Sequence, residues 1–327
     1  MATTTNVRVS YLISTRNRAE YLARTLENLA EIITPDDELL IMDGGSTDHT
    51  AAVVERFRTI VTSFTSEPDH GEAHGYNKGL LAARGRYFKL ITDDDYTFPE
   101  GMRAAIALLE GHPEIDALYC GGERWQLNPA SGEQTFHSNV QLPVGLRLAD
   151  GIENILEHTA CGLGLILTRK VLARVGVFDI SFRAVDVDML TRLISCGADF
   201  RYADIKLFRH YTYPHSAQNA NHIMLRDWVR ALLRAGRWDL IPQLSDSGRP
   251  ICDAVGLSRL KGGRALGQLI LCGELVRRSA FRGLLNAAAI AQSPLVRCYR
   301  ALRGRGAATK PVTIATPIAP EWDGSLR

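Results

Sequence analysis

The chain has 327 residues and a formal net charge of +2, with 46% hydrophobic and 23% charged residues, the balance of a soluble globular protein rather than a disordered, collagenous or coiled-coil chain. No stretch approaches the ~20 apolar residues that cross a bilayer, and the start, MATTTNVRVS, has no apolar signal core. The six cysteines are scattered without a CxxC pair, which excludes a zinc knuckle and a dense disulfide framework and suggests reduced thiols in a cytoplasmic protein.

Strand and helix patterns alternate along the first hundred residues. Val7 to Ser14 reads as an apolar strand, and Asn17 to Ala30 carries Leu22, Leu26 and Leu29 at helical spacing. A second strand, Glu38 to Met42, runs into Asp43-Gly44-Gly45-Ser46-Thr47-Asp48, turn chemistry that opens a helix over Ala51 to Phe57. Ile60 to Thr65 reads as a third strand, Ala73 to Ala83 as a helix, and Arg86 to Thr92 as a fourth strand ending in Asp93-Asp94-Asp95. Pro99 sits well in the first turn of a helix that closes near Gly111. This alternation predicts an α/β fold with a mostly parallel central sheet flanked by helices. Such sheets bind ligands at the carboxyl ends of their strands, which places Ser14-Thr15-Arg16, Asp43-Gly44-Gly45 and the acidic triplet at one crevice.

Further along, Asn128 to Gly132 reads as a hairpin turn, Gly162 to Leu167 as a strand and Asp186 to Ile194 as a helix. From Ala217 the pattern turns helical and arginine-rich. The segment from there to the end carries a net +10 against −8 for the first 216 residues. The expected organisation is therefore an α/β domain over 1–216 in two halves (1–112 and 113–216), a basic helical extension over 217–304 and a loose tail over 305–327. The extension places Arg277, Arg278, Arg282, Arg297, Arg300 and Arg303 among leucines and valines. Such a pattern suits either a helix on an anionic membrane surface or a helical cap packed on the α/β domain. It lacks any nucleic-acid-binding motif or aromatic platform.

Three adjacent carboxylates repel one another, and a divalent cation relieves that repulsion; hard oxygen donors suit Mg²⁺ or Mn²⁺. The same triplet also reads as a solvated acidic turn before a helix. The Asp43 turn offers glycines for close backbone approach and free N–H groups for an anion, or is a plain strand-to-helix turn. Neither GxGxxG nor GxxxxGK[ST] is present.

Taken together, the runs VSYLISTRNRAEYLARTLENL, DGGSTDHT and SEPDHGEAHGYNKGLLAARGRYFKLITDDDYTFPEG, followed by VGVFDISFRAVDVDMLTRL, resemble the family 2 glycosyltransferases of the GT-A fold, from about Val7 to Pro214. The resemblance implies transfer of a sugar from a nucleotide-sugar to a glycan or lipid-linked acceptor, with inversion and a divalent cation (Mn²⁺ or Mg²⁺). It also implies a cytoplasmic enzyme, with the basic helices as a candidate contact for the inner membrane face. By motif, Ser14, Thr15 and Arg16 match the first nucleotide loop and Asp43 the residue facing the base. Lys78 approaches the diphosphate or base from the Asn77-Lys78-Gly79 element. Asp93 matches a ribose contact, Asp94 and Asp95 metal ligands, and His210 a further candidate ligand, although it also suits an ordinary strand end. Asp186 matches the general base; Val185 replaces the glutamate that precedes it in the family, and Asp188 is the alternative base. The family's QxxRW motif is absent, which argues for transfer of one sugar or a few. A sugar nucleotidyltransferase is disfavoured because the first strand is not followed by a glycine-rich loop, and a non-catalytic nucleotide-sugar scaffold is the remaining alternative.

Overall fold

The computed structural model describes residues 7–128, 131–143, 146–148, 151–152, 162–213 and 221–237. Arg277, Arg278, Arg282, Arg297, Arg300 and Arg303, expected to lie on a membrane surface or in a packed helical cap, and the expected tail lie outside these residues. Among the described residues, no helix is long and apolar enough to cross a membrane.

The first half alternates as the sequence predicts: β1 (Val9–Thr15), α1 (Ala19–Leu29), β2 (Glu38–Asp43), α2 (Thr50–Arg56), β3 (Ser63–Ser66), α3 (Glu72–Ala82) and β4 (Tyr87–Ile91). These are followed by β5 (Tyr96–Thr97), α4 (Pro99–Gly111), β6 (Ala117–Leu127), β7 (Gln134–Val140), β8 (Leu165–Thr168), α5 (Arg169–Val175), α6 (Val185–Ser195), β9 (Phe200–Thr212) and α7 (Asn221–Arg234). The strands form one sheet in the order β3-β2-β1-β4-β8-β6-β9-β5, with β7 on β6. β1, β2, β3 and β4 pair in parallel, whereas β8 runs antiparallel to both β4 and β6, and β5 antiparallel to β9. The sheet is therefore mixed beyond β4: β6 and β7 form an antiparallel hairpin, β8 runs antiparallel between β4 and β6, and β9 returns parallel to β6 after a helical crossover.

Every residue of β2 and β4 is buried, as expected for strands covered on both faces. Side chains alternate between two cores. Leu12, Leu40, Met42, Phe88 and Leu90 face Tyr76 and Leu80 of α3 and Met189, Leu190 and Leu193 of α6. Val9, Tyr11, Ile13, Leu39 and Ile41 face Leu22, Leu26 and Leu29 of α1 and the apolar side of α4. Each of those fully buried leucines contributes about 2 kcal/mol by leaving water.

Residues 226–237 pack in the same compact unit as the sheet, past the boundary expected at 216. Residues 221–225 group with a second unit, most of which lies outside the described residues.

Candidate active site

The acidic triplet occupies the turn between β4 and β5, and its three carboxylates point to three sets of partners. Asp93 accepts a hydrogen bond from Thr15 Oγ1 of β1 at 2.6 Å and pairs with Arg18 Nε at 2.8 Å. Asp94 pairs with the Arg18 Nη2 group. Asp95 accepts from Thr92 Oγ1 at 2.6 Å and from the Tyr211 backbone N–H at 2.7 Å, and it lies 3.0 Å from His210 Nδ1. A carboxylate only accepts, so the His210 proton sits on Nδ1. The Arg18 guanidinium lies 4.5 Å from the centre of the Tyr21 ring, which fixes its plane.

Burial raises the Asp93 carboxyl, and the positive charge of Arg18 opposes the rise. Asp94 is pushed up to about 7, first by burial and then by Asp95 beside it. One arginine thus leaves the cluster with negative charge to spare. Among the described residues no three acidic, histidine or cysteine side chains converge as a ready-made metal cage. The oxygen donors nevertheless fit a divalent cation of the Mg²⁺ or Mn²⁺ type, which takes one or two carboxylates and leaves its other positions to phosphate and water.

The expected nucleotide loops are tied to one another. Asn17 has φ 53, a left-handed backbone that asparagine tolerates. Its Oδ1 accepts from the Thr47 N–H at 2.8 Å, and its own N–H donates to Ser46 Oγ at 2.8 Å, which joins the β1–α1 loop to the β2–α2 loop. Ser14 Oγ faces α3 so closely that a Cβ at Gly75 would lie 2.1 Å from it, so only glycine lets this helix approach. Arg16 is exposed. Asp43 is only 2% exposed; it accepts from the Ser46 N–H at 3.0 Å, from Ser66 Oγ at 2.5 Å and from Ser46 Oγ. It therefore anchors its own loop. Lys78 pairs with Glu67 at 3.2 Å. Asn77 reaches away from the nucleotide loops: it donates to Phe178 O and accepts from Phe178 N–H, both at 2.8 Å, and so holds the segment before α6.

Asp186 lies in the first turn of α6. Its Oδ2 accepts from the Gly162 N–H at 3.0 Å and its Oδ1 from the Val187 N–H at 2.9 Å. Burial raises this carboxyl, and the backbone donors hold the rise in check. Asp188, the alternative base, is 1% exposed and committed to Arg192 at 2.9 Å and Arg234 at 3.3 Å. These ion pairs give it a structural task.

Sequence reasoning missed two groups. Arg18 is the positive charge on the triplet, two residues beyond the matched loop. Glu72 opens α3 after Gly71, whose φ of 108 suits only glycine. Glu72 is exposed as a residue, and desolvation of its carboxyl, with Asp186 and Asp93 acting in the same sense, raises it above the ordinary carboxylate range. An acidic residue in a first helical turn looks routine in a sequence; only the fold brings it between Asp186 and the triplet's field.

A family model described as glycosyl transferase family 2 matches residues 10–176, about half the chain and every element from β1 to α5, so the chain belongs to that family. Among curated relatives, a pre-mycofactocin glycosyltransferase of Mycobacterium tuberculosis is 27% identical over 236 residues, 68% of this chain and 44% of the relative. An uncharacterised glycosyltransferase of Rickettsia typhi is 23% identical over 176 residues, 54% of each chain. The chain thus spans about half the length of these relatives. Two solved structures share the fold. The mannosyltransferase PcManGT from Pyrobaculum calidifontis, in complex with GDP-Man and Mn2+, superposes with a TM-score of 0.55 at 18% identity, over 90% of this chain and 84% of that one. S. aureus TarS 1–349 in complex with UDP-GlcNAc gives 0.57 at 17% identity, over 78% and 74%. Both are GT-A glycosyltransferases, and the α/β architecture here is that fold.

Proposed function

We propose that the chain is an inverting glycosyltransferase that moves a sugar from a nucleoside diphosphate to an acceptor hydroxyl of a glycan or lipid-linked sugar. The observation that carries this reading is the parallel register of β1, β2 and β4, which sets Thr15 beside Asp43 and bonds Thr15 to Asp93, so that the expected donor loops and the acidic triplet meet at one edge of the sheet. Family membership and the nucleotide-sugars named with two structural neighbours support it.

In this reading the donor's nucleotide lies over the joined loops, with Asp43, Ser14, Thr15, Arg16 and Lys78 around it and Asp93 near the ribose. Asp94 and Asp95, with His210 behind Asp95, would hold a divalent cation, which when bound offsets charge on the departing diphosphate. Arg18 supplies a second positive charge from the protein itself. Asp186 accepts the acceptor's hydroxyl proton. The acceptor oxygen then forms its bond to the anomeric carbon as the bond from that carbon to the diphosphate breaks. One base on the face opposite the leaving group suffices for a single displacement with inversion.

Asp186→Asn keeps the shape and removes the basic oxygen, so turnover should fall by about 10²–10⁴-fold while donor affinity stays nearly constant. Steady-state kinetics against a panel of UDP-, GDP- and dTDP-sugars measures both. A fully active Asp186→Asn enzyme would mean that another group takes the proton.

A further inference from the structure

The helix that carries Asp186 starts without a cap of its own. Its N-cap position is Ala184, which has no side-chain acceptor, and the N–H groups at a helix start need one. The acceptor arrives from α7. Asp227 Oδ2 takes the Arg183 N–H at 2.7 Å and the Ala184 N–H at 3.0 Å, from a side chain that is fully buried.

Asp227 acts within a larger grip. Arg230, three residues on, donates to Ser181 O at 2.9 Å and to Ser181 Oγ at 2.6 Å. Arg234, four residues further, pairs with Asp179 at 2.6 Å and with Asp188 at 3.3 Å. Both guanidinium groups lie over the Phe182 ring, at 4.1 and 4.8 Å. One face of α7, with the spacing i, i+3, i+7, therefore holds the chain on both sides of Asp186. The charges also balance. Arg230 lies 3.4 Å from Asp227, so the cap adds little uncompensated negative charge beside a carboxyl that must remain ionised to act as a base.

We propose that Asp227 is a positioning residue for the general base: by holding the Arg183 and Ala184 backbone it fixes the chain that enters α6 two residues before Asp186, and with it the direction of the Asp186 carboxylate. This proposal rests on the assignment of Asp186 as the base. A displacement of about 1 Å at a reacting group costs on the order of 10²-fold in rate, whereas the donor loops do not touch α7 through any of these contacts.

The test measures kcat and donor KM for full-length Asp227→Ala and Asp227→Asn, alone and combined with Asp186→Asn. The alanine variant should lose about 10²-fold in kcat with donor KM almost unchanged, and should lose nothing further in the Asp186→Asn background. The asparagine variant keeps an oxygen that can accept both N–H groups and should retain most of the turnover, which serves as the decisive arm if alanine prevents folding. A folded Asp227→Asn enzyme with the full loss would overturn the proposal. So would an alanine variant with normal kcat beside an inactive Asp186→Asn, or a loss that multiplies in the double variant. Full turnover in Asp186→Asn alone would instead overturn the base assignment, and the positioning role with it.

Discussion

Glu72 stands at the start of α3, open to the crevice, with its carboxyl raised to about 7 against an ordinary value of 4.5. The folded chain therefore holds this proton over a range in which the unfolded chain has released it. The resulting stabilisation is complete below about pH 4.5 and is lost as pH rises through about 7. Glu72→Gln cannot ionise, so it should raise the melting temperature relative to the parent at pH 8 and change it little at pH 5. Thermal scans at the two pH values decide this, and an equal change at both would show that Glu72 does not titrate as described. Asp94 is raised in the same direction, for the same first cause. Asp94→Ala combined with Asp95→Ala should abolish Mn²⁺-dependent thermal stabilisation by a nucleoside diphosphate, because a ligand that binds only the folded chain stabilises it by mass action. Equal stabilisation of the parent with and without Mn²⁺ would speak against a cation at the triplet. At this scale the sequence is informative about residue types and silent about their neighbours. Asp93, Asp94 and Asp95 are visible as a run after an apolar strand. Nothing in that run shows that Thr15 and Arg18 meet Asp93, or that Ser46 and Ser66 enclose Asp43.

At the scale of elements, α3 and α6 are coupled by one side chain. Asn77 donates one N–H to and accepts one from the two backbone groups of Phe178, across 101 residues of sequence. Asn77→Ala leaves a buried N–H and a buried carbonyl without these partners, at about 2–4 kcal/mol. Chemical denaturation should register that loss. The Asn-Lys-Gly run is legible from sequence, but its asparagine serves packing where the family resemblance draws attention to the nucleotide. The family motif assigns Asp186 as the base and leaves Asp188, two residues on, as the alternative. Burial and two arginines separate them. Asp188→Asn weakens charge-assisted hydrogen bonds to Arg192 and Arg234 and should cost about 2 kcal/mol of stability while a folded enzyme keeps its turnover; denaturation and kinetics on the same preparation separate the two effects. The cap of α6 was not legible at all, because a local reading looks for it at Ala184 and the acceptor stands on another helix.

Across the whole molecule, the alternation of strand and helix in the first hundred residues sets the parallel half, since short apolar runs and period-3.6 patterns follow one another there. The second half pairs strands far apart in sequence: β8 enters between β4 and β6, and β9 runs beside β6 over ten residues with two irregularities. Such pairings leave no periodic trace, so neither the antiparallel partners nor the two-residue β5 follow from local pattern. Remote capping has a consequence for how the chain is made. Arg183 and its acceptor are 44 positions apart. At roughly 5–20 residues per second of synthesis, the ribosome delivers Asp227 several seconds after the start of α6. Throughout that interval the parallel half can close on its own leucines, while the Arg183 and Ala184 N–H groups that lead into α6 lack this acceptor. The nascent protein therefore acquires its parallel half before the chain around Asp186 is held in place, and the order of that region waits on a helix made seconds later.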